Sequence, residues 1–574
     1  MSGTRMTENR YPGAWHAVVD FLTDRGVDTV FGLPADDLTV LDALRDSGIR
    51  FVLNRDQRNA GFMATGYALQ SGAPAVCLIG KGPASTNVLT GVLEAAASAA
   101  PLVVLAAGTA VNRRGARAFQ ELDQVSLLRP LAKWAHRVDH PDRLVPSLEK
   151  AFTIAAAGAP GPVYLEIADD LCDTAVTRTR PWRDVAVQYP APDPAAAATA
   201  WSAVRASRRP ILLVGGGVRH RNGPGTVEQL ATGLGAALFS TASGRGAVDE
   251  THELCCGLSG LYSPPEAVEL WRDTDLVIAL GSRLEETATF GTGFARPGVP
   301  VVQVNVDASE LSTEFAGPSV VADAGRVVED WCARLVASRR EPDPDWVARA
   351  GSVPVRARQR VTADAAEAAA SGAPRVAALL ARLSERLPAE HVLVQENGLQ
   401  DMWSYFFPSW CCAGPAGSIV PSEQTSLGFG AAAAAGVKLA APDRTVVALV
   451  GDGAFGMLGA DLAVLAEQQV GVLFLVLDNG GYGWLQSQWD KRERDDSGRG
   501  DRFRFVAPRG LGALPAAVHR AVVETSDAIG AELDRALKEC AAGRVAVLEV
   551  PVALSDVPAD LDELDGDFPA VEDR

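Results

Sequence analysis

The feature that most constrains this chain is a rhythm: short runs rich in Val, Ile and Leu recur at Pro101–Ala107, Pro210–Val214, Leu276–Leu280, Thr445–Val450 and Val472–Leu477, separated by longer Ala-rich segments. Unbroken apolar runs suit strands buried on both faces, and the Ala-rich segments read as the crossover helices that cover them. The pattern predicts an α/β protein made of doubly wound parallel sheets. At 574 residues the chain is several times one domain, and about 150 residues per domain gives roughly three or four. Two Pro- and Ala-rich stretches, Tyr189–Ala198 and the region around Arg340–Pro374, interrupt the rhythm. Cutting there predicts three domains, 12–185, 195–345 and 372–555, and an acidic tail, 556–574. The first eleven residues and that tail read as poorly ordered ends.

Hydrophobic residues make up 47% and charged residues 22% of the chain, with a formal net charge of −18. This is globular rather than disordered composition, and its negative sign disfavours a nucleic-acid partner. No apolar run approaches the roughly 18 residues of a membrane helix, so the expectation is a cytoplasmic protein without membrane attachment. The eight cysteines form no C-x-x-C pair, which leaves reduced, buried thiols as the simplest reading.

A weak internal echo links the first and last thirds: Cys77-Leu-Ile-Gly-Lys-Gly-Pro-Ala84 is similar to Ala448-Leu-Val-Gly-Asp-Gly-Ala-Phe455. Both read as a buried strand ending in a Gly-x-Gly turn before a helix, the sign of duplicated domains. They differ at Lys81 and Asp452, so only the second offers an anion for a metal. One strand-helix-strand unit later comes Asp478-Asn479-Gly480-Gly481-Tyr482, which places Asp452 and Asn479 on neighbouring turns at one sheet edge. A hard cation such as Mg²⁺ takes oxygen donors, which Asp452, the Asn479 side chain and the Gly481 carbonyl supply, with phosphate oxygens completing the set. The glycines let the backbone approach a diphosphate, and a helix starting after Gly453 favours its charge.

Gly-Asp-Gly followed at this distance by Asn resembles the diphosphate motif of thiamine-diphosphate (ThDP) enzymes. Further segments resemble the acetolactate synthase-like branch of that family, in order and over nearly the whole chain: Gly82-Pro-Ala-Ser-Thr-Asn87, Ala118-Phe-Gln-Glu121, Glu396-Asn-Gly-Leu-Gln-Asp-Met-Trp403 and Thr425-Ser-Leu-Gly-Phe-Gly430. The resemblance implies a pyrimidine-binding domain, a central Rossmann-like domain and a diphosphate-binding domain. It also implies a cofactor held between two subunits, hence at least a homodimer, with a homotetramer expected. The implied cofactor ligands are Asn397, Gly398, Gln400, Thr425, Leu427, Gly451, Gly453, Ala454, Gly481 and Tyr482. Among them Leu427 is the apolar wedge that bends ThDP. Asp452, Asn479 and Gly481 hold Mg²⁺. The implied reaction removes CO₂ from a small 2-oxo acid, pyruvate being expected, and transfers the acyl anion to an aldehyde or ketone.

The chain departs from the family pattern where it bears on catalysis. Most ThDP enzymes place a glutamate against pyrimidine N1′ in a segment R-H-E-Q-x-A; aligning Asn54-Arg-Asp-Gln57 and the later Gly66-Tyr67 pair puts Gln57 there. Gln57 donates a hydrogen bond but gives up no proton. Three readings compete. Catalysis continues with slower activation of the cofactor, as glyoxylate carboligase of this family manages with an apolar residue; a one-residue shift presents Asp56 instead; or the protein is a catalytically silent ThDP-binding subunit. The shift is disfavoured on the expectation that these residues lie on a strand, whose successive side chains face opposite ways.

Gly32-Leu-Pro-Ala-Asp36 resembles the G-L-P-G-D of pyruvate decarboxylase-like enzymes, which makes Asp36 either an acid/base or a helix cap. Those decarboxylases carry a His-His pair near the position of Phe119-Gln120, absent here, so carboligation gains over simple decarboxylation. Phe119 and Gln120 resemble residues that shape the acceptor site, and Arg283 resembles an arginine near the substrate pocket, with a surface salt bridge as the alternative. Trp484, Gln488 and Trp489 are pocket candidates, and Arg492–Gly512 reads as a lid or a solvated loop. The Gly215-x-Gly217 turn fails the dinucleotide fingerprint at His220, so FAD is compatible with the resemblance and is not predicted.

Overall fold

The computed structural model describes residues 9–34, 38–183, 189–220, 225–291, 294, 296–338, 341–492, 502–505 and 510–558. They divide into two compact units. The first unit comprises residues 1–188, 424–442 and 458–470. Its strands are β1 (Asn9–Tyr11), β2 (Thr29–Leu33), β3 (Arg50–Leu53), β4 (Ala75–Ile79), β5 (Leu102–Gly108), β6 (Trp134–Val138), β7 (Val163–Ala168) and β8 (Val176–Arg178). Six form a parallel sheet in the order β3-β2-β4-β5-β7-β6, and β1 pairs antiparallel with β8. Asn9–Tyr11, inside the stretch read from sequence as a loose end, form a strand because they find a pairing partner in β8.

The second unit holds β9 (Pro210–Val214), β10 (Ala237–Ser240), β11 (Cys255–Leu258), β12 (Leu276–Leu280), β13 (Val301–Asn305) and β14 (Ser319–Val321), in the parallel order β11-β10-β9-β12-β13-β14. This is the dinucleotide-fold order, with two strands wound to one side of β9 and three to the other. The same unit holds β15 (His391–Gln395), β16 (Gly417–Ile419), β17 (Thr445–Gly451), β18 (Val472–Asp478), β19 (His519–Val522) and β20 (Ala546–Pro551), ordered β16-β15-β17-β18-β20-β19. That order repeats the first sheet strand for strand, with β17 in the place of β4. The echo between Cys77–Ala84 and Ala448–Phe455 thus falls on equivalent strands and turns.

The apolar runs do what their composition demands: β5 and β18 are buried along their whole length, each large side chain contributing about 1.5–3 kcal/mol relative to exposure. Both stretches read as linkers are partly helix. Asp193 caps Pro194–Ala206 by accepting from Ala195 N and Ala196 N at 3.1 and 2.9 Å. Asp343 caps the 27-residue helix Pro344–Ala370, which buries Trp346, Ala350 and Val353 in one core with β9 and β12 residues. In each case proline stands at the first helical turn, where it lacks only an amide the helix does not use. Asp556, assigned from sequence to the loose tail, is 3% exposed and accepts from Val376 N at 2.7 Å and Arg375 Nε at 3.0 Å. Residues 559–574 of that tail lie outside the described residues.

In the first unit, helix Gln57–Ser71 crosses helix Phe429–Ala440 at van der Waals distance because both carry glycine at the contact. A Cβ on Gly436 would lie 1.8 Å from the Met63 carbonyl oxygen, and one on Gly66 2.4 Å from that of Ala433. Gly436→Ala is therefore expected to lower stability by about 1–3 kcal/mol through overpacking, read as a fall in the first thermal transition; an unchanged transition would show that the helices separate freely.

Candidate active site

In the third sheet the strand order reverses between β15 and β17, and open α/β sheets bind ligands beyond the carboxyl ends of strands at such a point. Three turns converge there: Glu396–Gln400 after β15, Gly451–Ala454 at the end of β17, and Asn479–Tyr482 after β18. The parallel register of Gly451 against Leu477 puts the last two side by side. The Asp452 carboxylate joins them, its Oδ1 accepting from Gly453 N at 2.8 Å and its Oδ2 from Gly480 N at 2.9 Å. Helix Asp452–Leu458 starts at the aspartate itself and is only seven residues long, so it offers less dipole than a helix starting after Gly453 and running on was expected to supply. Ala454 is buried, and Tyr482 stands exposed, edge-on to Phe505 with ring centroids 5.1 Å apart.

The orientation of Asn479 is set from behind. The Leu554 carbonyl, which only accepts, takes Gln400 Nε2 at 3.0 Å; Gln400 Oε1 then accepts from Asn479 Nδ2 at 2.7 Å. Asn479 is left with its oxygen toward the loop, where Gly481 N donates to it at 2.9 Å. Gln400, expected as a cofactor ligand, is 2% exposed and hydrogen-bonds to Asn479. That role is invisible in sequence, because its partners are 79 and 154 positions away.

Two carboxyls near these turns were missed. Asp401 accepts from Gly451 N at 3.1 Å, and burial, with the charge of Asp452 adding, pushes it up to about 7. Asp452 is itself raised, first by burial and then by the neighbouring carboxyl of Asp478, against the pull of the Gly453 and Gly480 amides. Asp478 could have been noticed beside Asn479; Asp401 gives no sequence signal beyond its place in the quoted segment. Asn397 Oδ1 is buried without a hydrogen-bond partner among the described residues.

These atoms fit a diphosphate and its hard cation. Asp452 offers a carboxylate, Asn479 an amide oxygen and Gly481 a carbonyl, which with phosphate oxygens would make a donor set of the kind Mg²⁺ prefers; among the described residues no group of three His, Cys, Asp or Glu could hold a metal. A cation at Asp452 would favour its charged form.

In the first unit, Gln57 opens helix Gln57–Ser71, and Asp56 is its N-cap, accepting from Arg58 N at 2.8 Å. These residues lie beyond β3, so the strand-parity reason for setting Asp56 aside does not apply; its capping role is the physical reason it is engaged elsewhere. Asn87 Nδ2 approaches Gln57 Oε1 at 2.7 Å and Asp56 Oδ1 at 3.3 Å. Gln120 sits at φ +57° with its carbonyl 2.6 Å from where a Cβ on Gly82 would be, and Phe119 is 70% exposed. Thr425 adopts φ +45°, uncommon for a β-branched residue and a pointer to a constrained site. Ser426 N donates to buried Glu94 at 3.3 Å, which leaves Leu427 half-buried before the helix Phe429–Ala440.

Other expected residues fare differently. Arg283 pairs with Glu310 at 3.2 Å and Glu285 at 3.6 Å, the salt-bridge alternative rather than an unengaged cation. Trp484 packs beside the Tyr262–Tyr405 cluster, while Gln488 Oε1 and Trp489 Nε1 are buried without partners among the described residues. Asp36 lies outside the described residues, as does most of Arg492–Gly512. At the reversal point of the central sheet, Gly217 N donates to Gly281 O at 2.9 Å and a Cβ on Gly215 would meet Gly281 O at 2.4 Å. The Gly217 amide is thereby engaged within the protein.

Three parallel sheets and a Gly-Asp-Gly turn facing an Asn-Gly-Gly turn define a diphosphate-cofactor enzyme. Residues 14–127, 197–330 and 398–550 match, in order, the families described as Thiamine pyrophosphate enzyme, N-terminal TPP binding domain, central domain, and C-terminal TPP binding domain. The chain is 29% identical over 504 residues to Acetolactate synthase isozyme 1 large subunit of Escherichia coli, covering 85% of each. It is 30% identical over 492 residues to Acetolactate synthase of Mycobacterium bovis, covering 82% of this chain and 77% of that one. Similarity extends to Probable 2-ketoarginine decarboxylase AruI of Pseudomonas aeruginosa, 31% over 484 residues, 81% of this chain and 82% of the other. The chain belongs to the thiamine pyrophosphate enzyme family, in its acetolactate synthase-like branch, and is an enzyme of the ThDP-dependent carboligase/lyase type. Among the described residues no helix is long and apolar enough to cross a membrane.

Proposed function

We propose that the protein decarboxylates a small 2-oxo acid, pyruvate first among candidates, and ligates the acyl group to an aldehyde or ketone, giving an acyloin or 2-hydroxy-3-oxo acid. The observation that carries this reading is the joining of the Asp452 turn to the Asn479 turn, with the Asn479 oxygen oriented through Gln400. Asp452, the Asn479 side chain and the Gly481 carbonyl would hold Mg²⁺, and Asn397, Gly398, Gly451, Gly453, Ala454 and Tyr482 would line the diphosphate. Thr425 and Leu427 would seat the pyrimidine, and Gln57 would donate to its N1′. ThDP, when bound, supplies an acidic thiazolium carbon that labilises the substrate carboxylate and carries the acyl group as a nucleophile. The chain's own share is to fix that carbon's geometry, to hold N1′ by a hydrogen bond from the Gln57 amide, and to shape the acceptor side with Phe119 and Gln120. With no histidine pair at that position, protonation of the acyl group by the protein is disfavoured, which supports ligation. The cofactor lies between subunits in this reading, so a homodimer or homotetramer is the working form.

A second reading, 2-oxo acid decarboxylation without ligation, is favoured by the likeness to the 2-ketoarginine decarboxylase. Incubation with ThDP, Mg²⁺ and pyruvate, alone and with added aldehydes, followed by NMR, separates the two. Acetolactate or another acyloin is the expected product; aldehyde alone would move the assignment to the decarboxylase, and bound ThDP without CO₂ from any 2-oxo acid would leave a silent subunit.

A further inference from the structure

Resting on the reading above, we propose that Asp56 and Asn87 act as positioning residues that fix the Gln57 amide so that it presents N–H, not C=O, to the cofactor's pyrimidine N1′. The two ends of a carboxamide have nearly the same shape, so its orientation is decided by its partners. Here the deciding partner is a carboxylate. Asp56 Oδ1 is held as the helix cap by Arg58 N at 2.8 Å, and it only accepts, so the Asn87 group 3.3 Å away must be its nitrogen. That nitrogen only donates. The Gln57 atom 2.7 Å from it must therefore be oxygen, and the free end of Gln57 is its NH₂. A ring nitrogen with a lone pair is matched by that donor and repelled by the reversed amide. A glutamate at this position would need no such control, since its two oxygens are equivalent; the relay belongs to the substitution that sets this chain apart. Asn87 is exposed and Gln57 half-buried, so water competes with the relay until a ligand covers it.

The test is equilibrium binding, in Mg²⁺, of ThDP against an analogue whose N1′ is replaced by C–H, measured by tryptophan fluorescence. The natural protein is expected to prefer ThDP about tenfold, the factor that one hydrogen bond supplies. Asn87→Ala is expected to remove most of that preference. In a Gln57→Glu background Asn87→Ala is expected to change the preference by less than about twofold, because carboxylate orientation is degenerate. An equal loss in both backgrounds, or an unchanged preference in the Gln57 protein, overturns the relay while leaving the cofactor assignment intact. Equal affinity of the natural protein for both compounds overturns the relay together with the placement of Gln57, and binding of neither overturns the ThDP reading on which it stands.

Discussion

Asp452→Ala is expected to weaken Mg²⁺-dependent ThDP binding by at least about 100-fold, with the far-ultraviolet spectrum of the protein unchanged. The aspartate contributes twice. It is the only carboxylate in the proposed ligand set, and it ties the Gly453 and Gly480 amides together, so its loss removes a cation ligand and releases two turns. Because Asp401 and Asp478 lie close by, Asp452→Asn is a useful companion: it keeps the shape and one acceptor but drops the charge, and should fall between the natural protein and the alanine variant. Calorimetric titration of ThDP with and without Mg²⁺ reads both. Tight, metal-dependent binding by the alanine variant would remove the cofactor from these turns.

Gln57→Glu is expected to retain ThDP binding and to speed exchange of the cofactor's C2 proton for deuterium by about 100-fold or more, the contribution a positioned acid–base group ordinarily makes. The change is nearly isosteric and keeps the acceptor that Asn87 uses. It also turns an amide that only holds its hydrogen bond into a group that can pass a proton to N1′. An exchange rate unaltered by the substitution would mean that Gln57 does not face N1′. If exchange rises without a rise in product formation, the natural enzyme is limited after cofactor activation, and the glutamine costs it little.

The three parallel sheets were legible because strands buried on both faces must be apolar throughout, and runs such as Val472–Leu477 admit few other structures. The Gly-Asp-Gly and Asn-Gly-Gly turns were legible for a related reason: a backbone that approaches phosphate and a cation that wants oxygen restrict the residue types allowed. Linkers were less so. Tyr189–Ala198 and Arg340–Pro374 have loop-like composition, yet Asp193 and Asp343 cap helices there, and Trp346 finds a sheet to cover; capping and burial depend on what stands opposite. The tail boundary failed similarly, since the fold, not the local acidity, gives Asp556 its Arg375 and Val376 partners. Orientation was beyond sequence altogether. That Gln400 accepts from Asn479, that Asn87 donates to Gln57, and that Arg283 is engaged by Glu310 are facts of a few ångströms between residues well separated in the chain. By itself the sequence determined which chemistry the chain can hold, because each residue type carries its own donors, acceptors and charge. Only the tertiary structure decided which way those groups face, because a carboxamide or carboxylate takes its direction from the neighbours that folding brings to it.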